Sequence, residues 1–306
     1  MLDELVVDHL IAVAELSEIF PDLPIAAYVQ TTDATVARRG RVAAELLQEL
    51  DVITMLDRLV ERFSFWPGEQ LKLVRDRDHI PPESVMRPGA DGRPRINSAR
   101  LAERLEDGFT VVFDGIELRH RPSNRLAALF EAAFGCAVNI NGYLSAQPVP
   151  SFGSHWDDQE VVIIQLIGSK DWSVEEPVAL SMHKDVHGTS TSGRPVWAGT
   201  LQVGDCLYVP RGWGHYVTAP SGLSFHYTIT IPRLNGLMLI DQLLDTAARQ
   251  PLTVLPDDRD GGDALRGEVT LGVGLVRPTW ESPRSDQLLE LALEKKLRET
   301  RNNQGG

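Results

Sequence analysis

Between Ala137 and Pro232 the sequence is cut by Gly, Pro and Asp into short segments: "AVNINGYL", "EVVIIQLIG", "KDWSV", "TLQVGDCLYVP", "HYVTA" and "LSFHYTITIP". Their length, their β-branched and aromatic content and the turn formers between them predict strands. Many short strands in series must bury their faces on one another, which confines this part of the chain to a sandwich or a small barrel. "EVVIIQLIG" is apolar at nearly every position, so it belongs in the interior. In "SFHYTITIP" the residues Phe225, Tyr227, Ile229 and Ile231 alternate with Ser224, His226, Thr228 and Thr230. One face is then apolar and packs outward against helices, and the polar face lines an interior.

The flanks read differently. Residues 1–65 are expected to be helical: "VAELSEIFPDLP" stops at Pro21 and Pro24, and "DATVARRGRVAAELLQELDVITMLDRLVERF" carries Leu46, Leu47, Leu50, Ile53, Leu56 and Leu59 at helical spacing. "FWPGEQLKLVRD" predicts a turn and a short strand, "PPESVMRPGADGRPR" a Pro/Gly-rich loop, and "FTVVFDGIEL" a strand. Two capped helices are expected, one from Asn97 or Ser98 to Gly108, the other opened by Ser123 and closed by Gly135. Beyond Pro232, "GLMLIDQLLDTAARQ" and "SDQLLELALEKKLRET" are amphipathic. Their apolar stripes, through Leu237, Ile240, Leu243, Leu244 and Ala247 and through Leu288, Leu289, Leu293 and Leu297, predict a homodimer face. The expected organisation is a helical N-terminal region at 1–105, a barrel at 106–235 and a helical C-terminal region at 236–306: mainly β with helical additions.

Composition removes several function classes. Lys and Arg total 30 against 43 Asp and Glu, a formal charge of −13, so nucleic acid is not expected as a partner. Cys136 and Cys206 both lie in apolar contexts and read as buried, reduced thiols, with no thiolate pair for zinc or redox chemistry. The N-terminus is interrupted by Asp8 and His9 and does not fit a secretory signal. No apolar run approaches the ~18 residues that a membrane span needs. The sequence therefore reads as a cytoplasmic protein without membrane contact.

Chemistry first shows in "SHWDDQEVVIIQLIGSK". Residues two apart on a strand share a face, so His155 and Asp157 can hold one atom between them. A metal there needs a further ligand. "GDCLYVPRGWGH", with Gly204, Pro210, Gly212 and His215 in register, resembles the second motif of the cupin superfamily, whose fold is a double-stranded β-helix, a jelly-roll barrel. In that motif Gly204-Asp205 turns the chain, "CLYVP" crosses the barrel, and the Pro-Arg-Gly turn aims His215 inward. Two imidazoles and one carboxylate on one side of a metal leave its other positions open, the arrangement of non-haem Fe(II) oxygenases. Lys170 follows the core strand, with Trp172 at the next position on the same face.

Together, "NINGYLSAQP", "SHWDDQEVVIIQLIGSKDW", "GDCLYVPRGWGH" and "SFHYT" resemble the JmjC-type oxygenases of the cupin-4 group, which includes the ribosomal oxygenases. The resemblance runs through Asn141, Tyr143, His155, Asp157, Gln165, Gly168, Lys170, Trp172 and His215. It implies Fe(II), 2-oxoglutarate and dioxygen as cofactor and co-substrates, with His155, Asp157 and His215 as metal ligands and catalytic centre. It further implies that Lys170 holds the distal carboxylate of 2-oxoglutarate, with Asn141, Tyr143 and Ser224 as further candidates around that ligand. The expected activity is hydroxylation of a side chain in a protein or peptide. Tailoring of a peptide natural product or free amino acid, and a non-catalytic cupin that only binds, are the alternatives. His183 and His187 have HxxxH spacing but sit in "SMHKDVHGTSTSGRP", which reads as a loop over the barrel mouth.

Overall fold

The computed structural model describes residues 2–30, 37–61, 70–177, 194–220 and 222–232. Residues 1–235 form one compact unit and residues 236–306 a second. The stripes on which the homodimer expectation rests, and the loop containing His183 and His187, lie outside the described residues.

The chain begins with helices α1 (Leu2–Ile19) and α2 (Ile25–Gln30), strand β1 (Arg38–Arg41), and helices α3 (Ala44–Leu50) and α4 (Val52–Glu61). Two hairpins follow, β2 (Leu71–Arg75) with β3 (Asp78–Ile80) and β4 (Met86–Pro88) with β5 (Pro94–Ile96). Helix α5 (Ser98–Glu106), strand β6 (Thr110–Phe113) and helix α6 (Arg121–Phe134) lead into the strand-rich part. That part comprises β7 (Asn139–Ser145), β8 (His155–Trp156), β9 (Glu160–Ile167), β10 (Lys170–Glu175), β11 (Pro195–Leu201), β12 (Asp205–Val209), β13 (Gly214–Thr218) and β14 (Ser224–Ile231). No helix among the described residues is long and apolar enough to cross a membrane.

One antiparallel sheet has eight strands in the order β1-β12-β9-β14-β7-β6-β2-β3, and a second has four in the order β11-β10-β13-β8. They close on each other as a double-stranded β-helix. Val161, Ile163, Leu207 and Val209 of the larger sheet pack inward on Trp172, Val174 and Leu201 of the smaller. The intervening residues of the same strands, Val162, Ile164, Leu166, Cys206 and Tyr208, point outward into a cluster with Leu16, Phe20, Leu50 and Phe130 of the helices. Alternation along each strand thus produces an inner and an outer core.

Three local expectations are corrected. Arg38–Arg41, expected in a helix, is an edge strand paired with β12 from Arg38↔Tyr208 to Arg41↔Asp205. The Asp205 carboxylate, at 0% exposure, accepts from Arg39 at 2.7 Å and Arg41 at 3.0 Å. A buried carboxylate demands such partners, and only the extended conformation delivers both arginines to it. Gly40 permits the approach, since a Cβ there would stand 2.7 Å from the Asp22 Cβ. The region 1–105 therefore supplies three strands of the larger sheet rather than helices alone. Second, "PPESVMRPGADGRPR" is not a plain loop: a 3-10 turn at Pro82–Val85 precedes the β4–β5 hairpin. Third, α6 opens at His120 rather than Ser123. Ser123 is fully buried in the first turn and donates to the Tyr227 hydroxyl at 3.1 Å. The Asn97 cap, accepting from Arg100 N at 3.2 Å, and the left-handed Gly135 that ends α6 are as expected.

Candidate metal centre

Strands β8 and β13 pair so that His155 lies directly opposite His215. Directly opposed residues share a face, which brings the two imidazoles to a ring-centroid distance of 4.3 Å. Asp157, two residues on, places Oδ2 at 3.6 Å from His215 Nε2. One potential ligand atom from each of the three residues lies within 4.8 Å of the other two.

Backbone carbonyls fix the tautomers. His155 Nδ1 lies 3.0 Å from the Gly153 carbonyl oxygen, and His215 Nδ1 lies 3.2 Å from that of Trp213. A carbonyl oxygen only accepts, so both rings carry hydrogen on Nδ1, and in a neutral ring this leaves the lone pair on Nε2, the atom that can ligate a metal. Burial, followed by the neighbouring His155, lowers the pKa of His215 to about 4, against the opposing influence of Asp157 and the Trp213 carbonyl. His215 is thus a neutral imidazole at physiological pH. The two ligand-bearing turns are tied together: Gly212 N donates to Asp157 O at 2.9 Å, and Arg211 Nε donates to Asp158 at 2.7 Å in an ion pair.

These residues open on a pocket of about 230 Å³ inside the barrel, whose wall includes Val161, Ile163 and Trp172. Lys170, at the start of β10, also lines it and is only 2% exposed. Its ammonium donates to the Tyr143 carbonyl at 3.2 Å and to Ser145 Oγ at 3.1 Å. No carboxylate among the described residues pairs with it, and burial lowers its pKa to about 7.

The remaining candidates fall into two groups. Tyr143 lines the pocket, and burial pushes its phenol pKa up. Asn141 and Ser224 are not among the pocket-lining residues. Asn141 accepts from Gly115 N at 3.2 Å, and Ser224 is fully buried beneath Gln165, whose Nε2 donates to its hydroxyl at 3.0 Å. A bulge opposite Phe225/His226 interrupts the register of β14 against β9 at this point.

Among the pocket residues not singled out as site residues from the sequence are Ser145 and His226. Ser145 follows Tyr143 on the same face of β7, a position the two-residue period could have flagged. His226 stacks on Tyr143 at 4.8 Å with an interplanar angle of 3° and meets the edge of Trp172 at 5.4 Å. Burial first, then Lys170 and His215, drive its pKa well below the usual histidine value, so it is neutral. Its Nδ1 has no hydrogen-bond partner among the described residues.

Comparison with known proteins shows what the chain is similar to. Residues 116–238 match the JmjC domain model. The chain is 37% identical over 154 residues to ribosomal oxygenase 2 of Bos taurus, covering 50% of this chain and 31% of that protein. It is 33% identical over 112 residues to the bifunctional lysine-specific demethylase and histidyl-hydroxylase NO66 of Dictyostelium discoideum, covering 35% of this chain and 22% of that protein. The matches thus span about a third or less of those relatives. Among solved structures, ycfD of Escherichia coli is similar at a TM-score of 0.49 and 18% identity, over 89% of this chain and 67% of its own. The segment at residues 116–238 is thus similar to JmjC domains, and the chain is similar in sequence to part of the ribosomal oxygenases.

Proposed function

We propose that the chain is an Fe(II)- and 2-oxoglutarate-dependent oxygenase that hydroxylates a side chain of a protein or peptide. One observation carries this reading: two imidazoles and a carboxylate share a pocket with a buried ammonium that has no carboxylate partner among the described residues. The donor set fits Fe(II), because the carbonyl contacts at Nδ1 turn both Nε2 atoms toward the shared centre and His215 stays unprotonated at neutral pH. His155, Asp157 and His215 would hold the metal. Bound there, iron supplies dioxygen activation coupled to oxidative decarboxylation of 2-oxoglutarate to succinate and CO2.

The chain's own residues do the rest. Lys170, steadied by Tyr143 O and Ser145 Oγ, would take the distal carboxylate of 2-oxoglutarate and fix the orientation of its other end. Contact with that anion restores the lysine's charge, which burial alone disfavours. Val161, Ile163 and Trp172 exclude water from the pocket and strengthen the charge pairing. A protein or peptide substrate is supported by the similarity to ribosomal oxygenase 2 and to a histidyl-hydroxylase. The formal charge of −13 favours a basic or neutral partner over nucleic acid.

The test incubates the protein with Fe(II), 2-oxoglutarate, oxygen and candidate peptides. Succinate should form in equal amount to a peptide that gains one oxygen atom. Oxygen incorporated only into small molecules would overturn the peptide assignment, and absence of succinate would overturn the oxygenase reading.

A further inference from the structure

We infer that Arg77, which lies outside the matched JmjC segment, is a positioning residue for His155. This rests on the metal-site reading above. Strands β2 and β3 are joined by Asp76 and Arg77, with Arg75 opposite Asp78. Both turn residues are left-handed, at φ 46° and 70°. Residues with a side chain rarely adopt this conformation; Gly, Asn or Asp is the ordinary occupant of such a turn, so Arg77 is the unusual one. Two such residues in succession persist where the surroundings hold them.

What holds this tip is the loop that delivers His155. Asp76 N donates to Pro150 O at 2.7 Å and Arg77 N to Ser151 O at 2.8 Å. The guanidinium continues the series, donating through Nε to Phe152 O at 3.0 Å and through a terminal nitrogen to Ser154 O at 3.3 Å. The carbonyl between the last two, that of Gly153, accepts from His155 Nδ1 instead. Gly153 is itself left-handed at φ 69°, and a Cβ there would stand 2.8 Å from the Arg77 Nε. The guanidinium therefore packs against the bare glycine backbone and sets the direction of its carbonyl. That carbonyl selects the Nδ1–H tautomer of His155 and aims Nε2 at the centre it shares with Asp157 and His215. Hydrogen bonds to the far nitrogen of a metal-binding histidine commonly govern affinity in this way.

A simple loop staple would affect stability and leave the metal untouched, so the test separates the two. Arg77→Gly removes the guanidinium and relieves the left-handed backbone. Its melting temperature should therefore match or exceed that of the wild type. Its affinity for Co(II), titrated into the metal-free full chain and followed by visible absorption, should fall ~10-fold or more. Long-range 1H–15N spectra of the metal-free protein should show a smaller Nδ1–H fraction at His155. Arg77→Lys keeps the backbone conformation and the charge but offers one nitrogen to two carbonyls, and should lose Co(II) affinity too. It reports the same effect should the glycine variant fold poorly. Wild-type Co(II) binding that survives His155→Ala and Asp157→Ala would overturn the metal site and this inference with it. His155-dependent binding that is equally tight in wild type, Arg77→Gly and Arg77→Lys, with the tautomer unchanged, would overturn the role of Arg77 alone.

Discussion

The outer and inner faces of the eight-stranded sheet are made by alternate residues of the same strands, yet they obey different rules. On β14, Phe225, Tyr227, Ile229 and Ile231 join the outer cluster with the helices, and the Tyr227 hydroxyl is bonded to Ser123. The barrel interior buries Lys170 without a counterion among the described residues, and His226 with an unbonded Nδ1. Burying such groups costs stability in the free protein, the expected mark of a ligand site under the function proposed above. One residue of register thus separates the part of the molecule that holds the fold from the part suited to chemistry.

Substitutions on the two faces should divide along that line. The largest effect belongs to the interior: His155→Ala or Asp157→Ala should abolish iron binding and 2-oxoglutarate turnover while the protein still unfolds cooperatively. Wild-type iron content in both variants, by metal analysis, would break the comparison at its root. On the outer face, Ile164→Ala empties a fully buried position and should cost about 2–5 kcal/mol in urea unfolding. Its KM for 2-oxoglutarate should stay unchanged, and a large rise would mean that the faces are not independent.

Lys170→Met tests the interior with the opposite sign for stability. The KM for 2-oxoglutarate should rise at least ~10-fold, because the anion loses its buried partner. The ligand-free protein should become more stable. The folded-state pKa of Lys170, about 7, lies below its ordinary value of 10.5, so burial penalises the charged form. That penalty is full below pH 7, shrinks as pH rises from 7 to 10.5, and is absent above 10.5. The stabilisation, on the order of a few kcal/mol, should therefore be greatest in mild acid and fade toward alkaline pH. Urea unfolding across that range reads it, and a variant less stable than the wild type throughout would show that the lysine supports the fold.

What the sequence revealed follows from the range of the interactions. Alternation in "SFHYTITIP" is a local property, and it separated the outer face from the polar one before any coordinates. The two-residue spacing of His155 and Asp157 is equally local. Pairing of Arg39 and Arg41 with Asp205 spans more than 160 positions, and no local pattern announces that a basic stretch inside a helical-looking segment becomes a strand. Ser224 shares a period with His226 and lies opposite Ser145, yet Gln165 of the neighbouring strand bonds to its hydroxyl and it is fully buried, which is a tertiary fact. The β2–β3 tip was hidden for a different reason. "RDRDH" offers Asp76 as a turn former but no Gly or Asn, and nothing in the composition marks Arg77 as left-handed.

The smallest expected effect concerns the tie between the two ligand-bearing turns. Asp158 follows Asp157, Arg211 precedes the turn to His215, and their ion pair is partly buried, with side-chain exposures of 18% and 26%. Asp158→Asn weakens this contact but leaves the Gly212 N to Asp157 O bond at 2.9 Å and the β8–β13 pairing in place. The turns should then stay close but less exactly aligned, giving iron affinity ~10-fold weaker and a melting temperature little changed. Chelator competition measures the affinity. Replacing the pair in reverse, Asp158→Arg with Arg211→Asp, should recover part of the loss, since the attraction is regained though its geometry is not. If Asp158→Asn lowers stability and leaves iron affinity as it was, the pair belongs with the outer face in function, and the division between holding the fold and holding the metal runs inside the barrel itself.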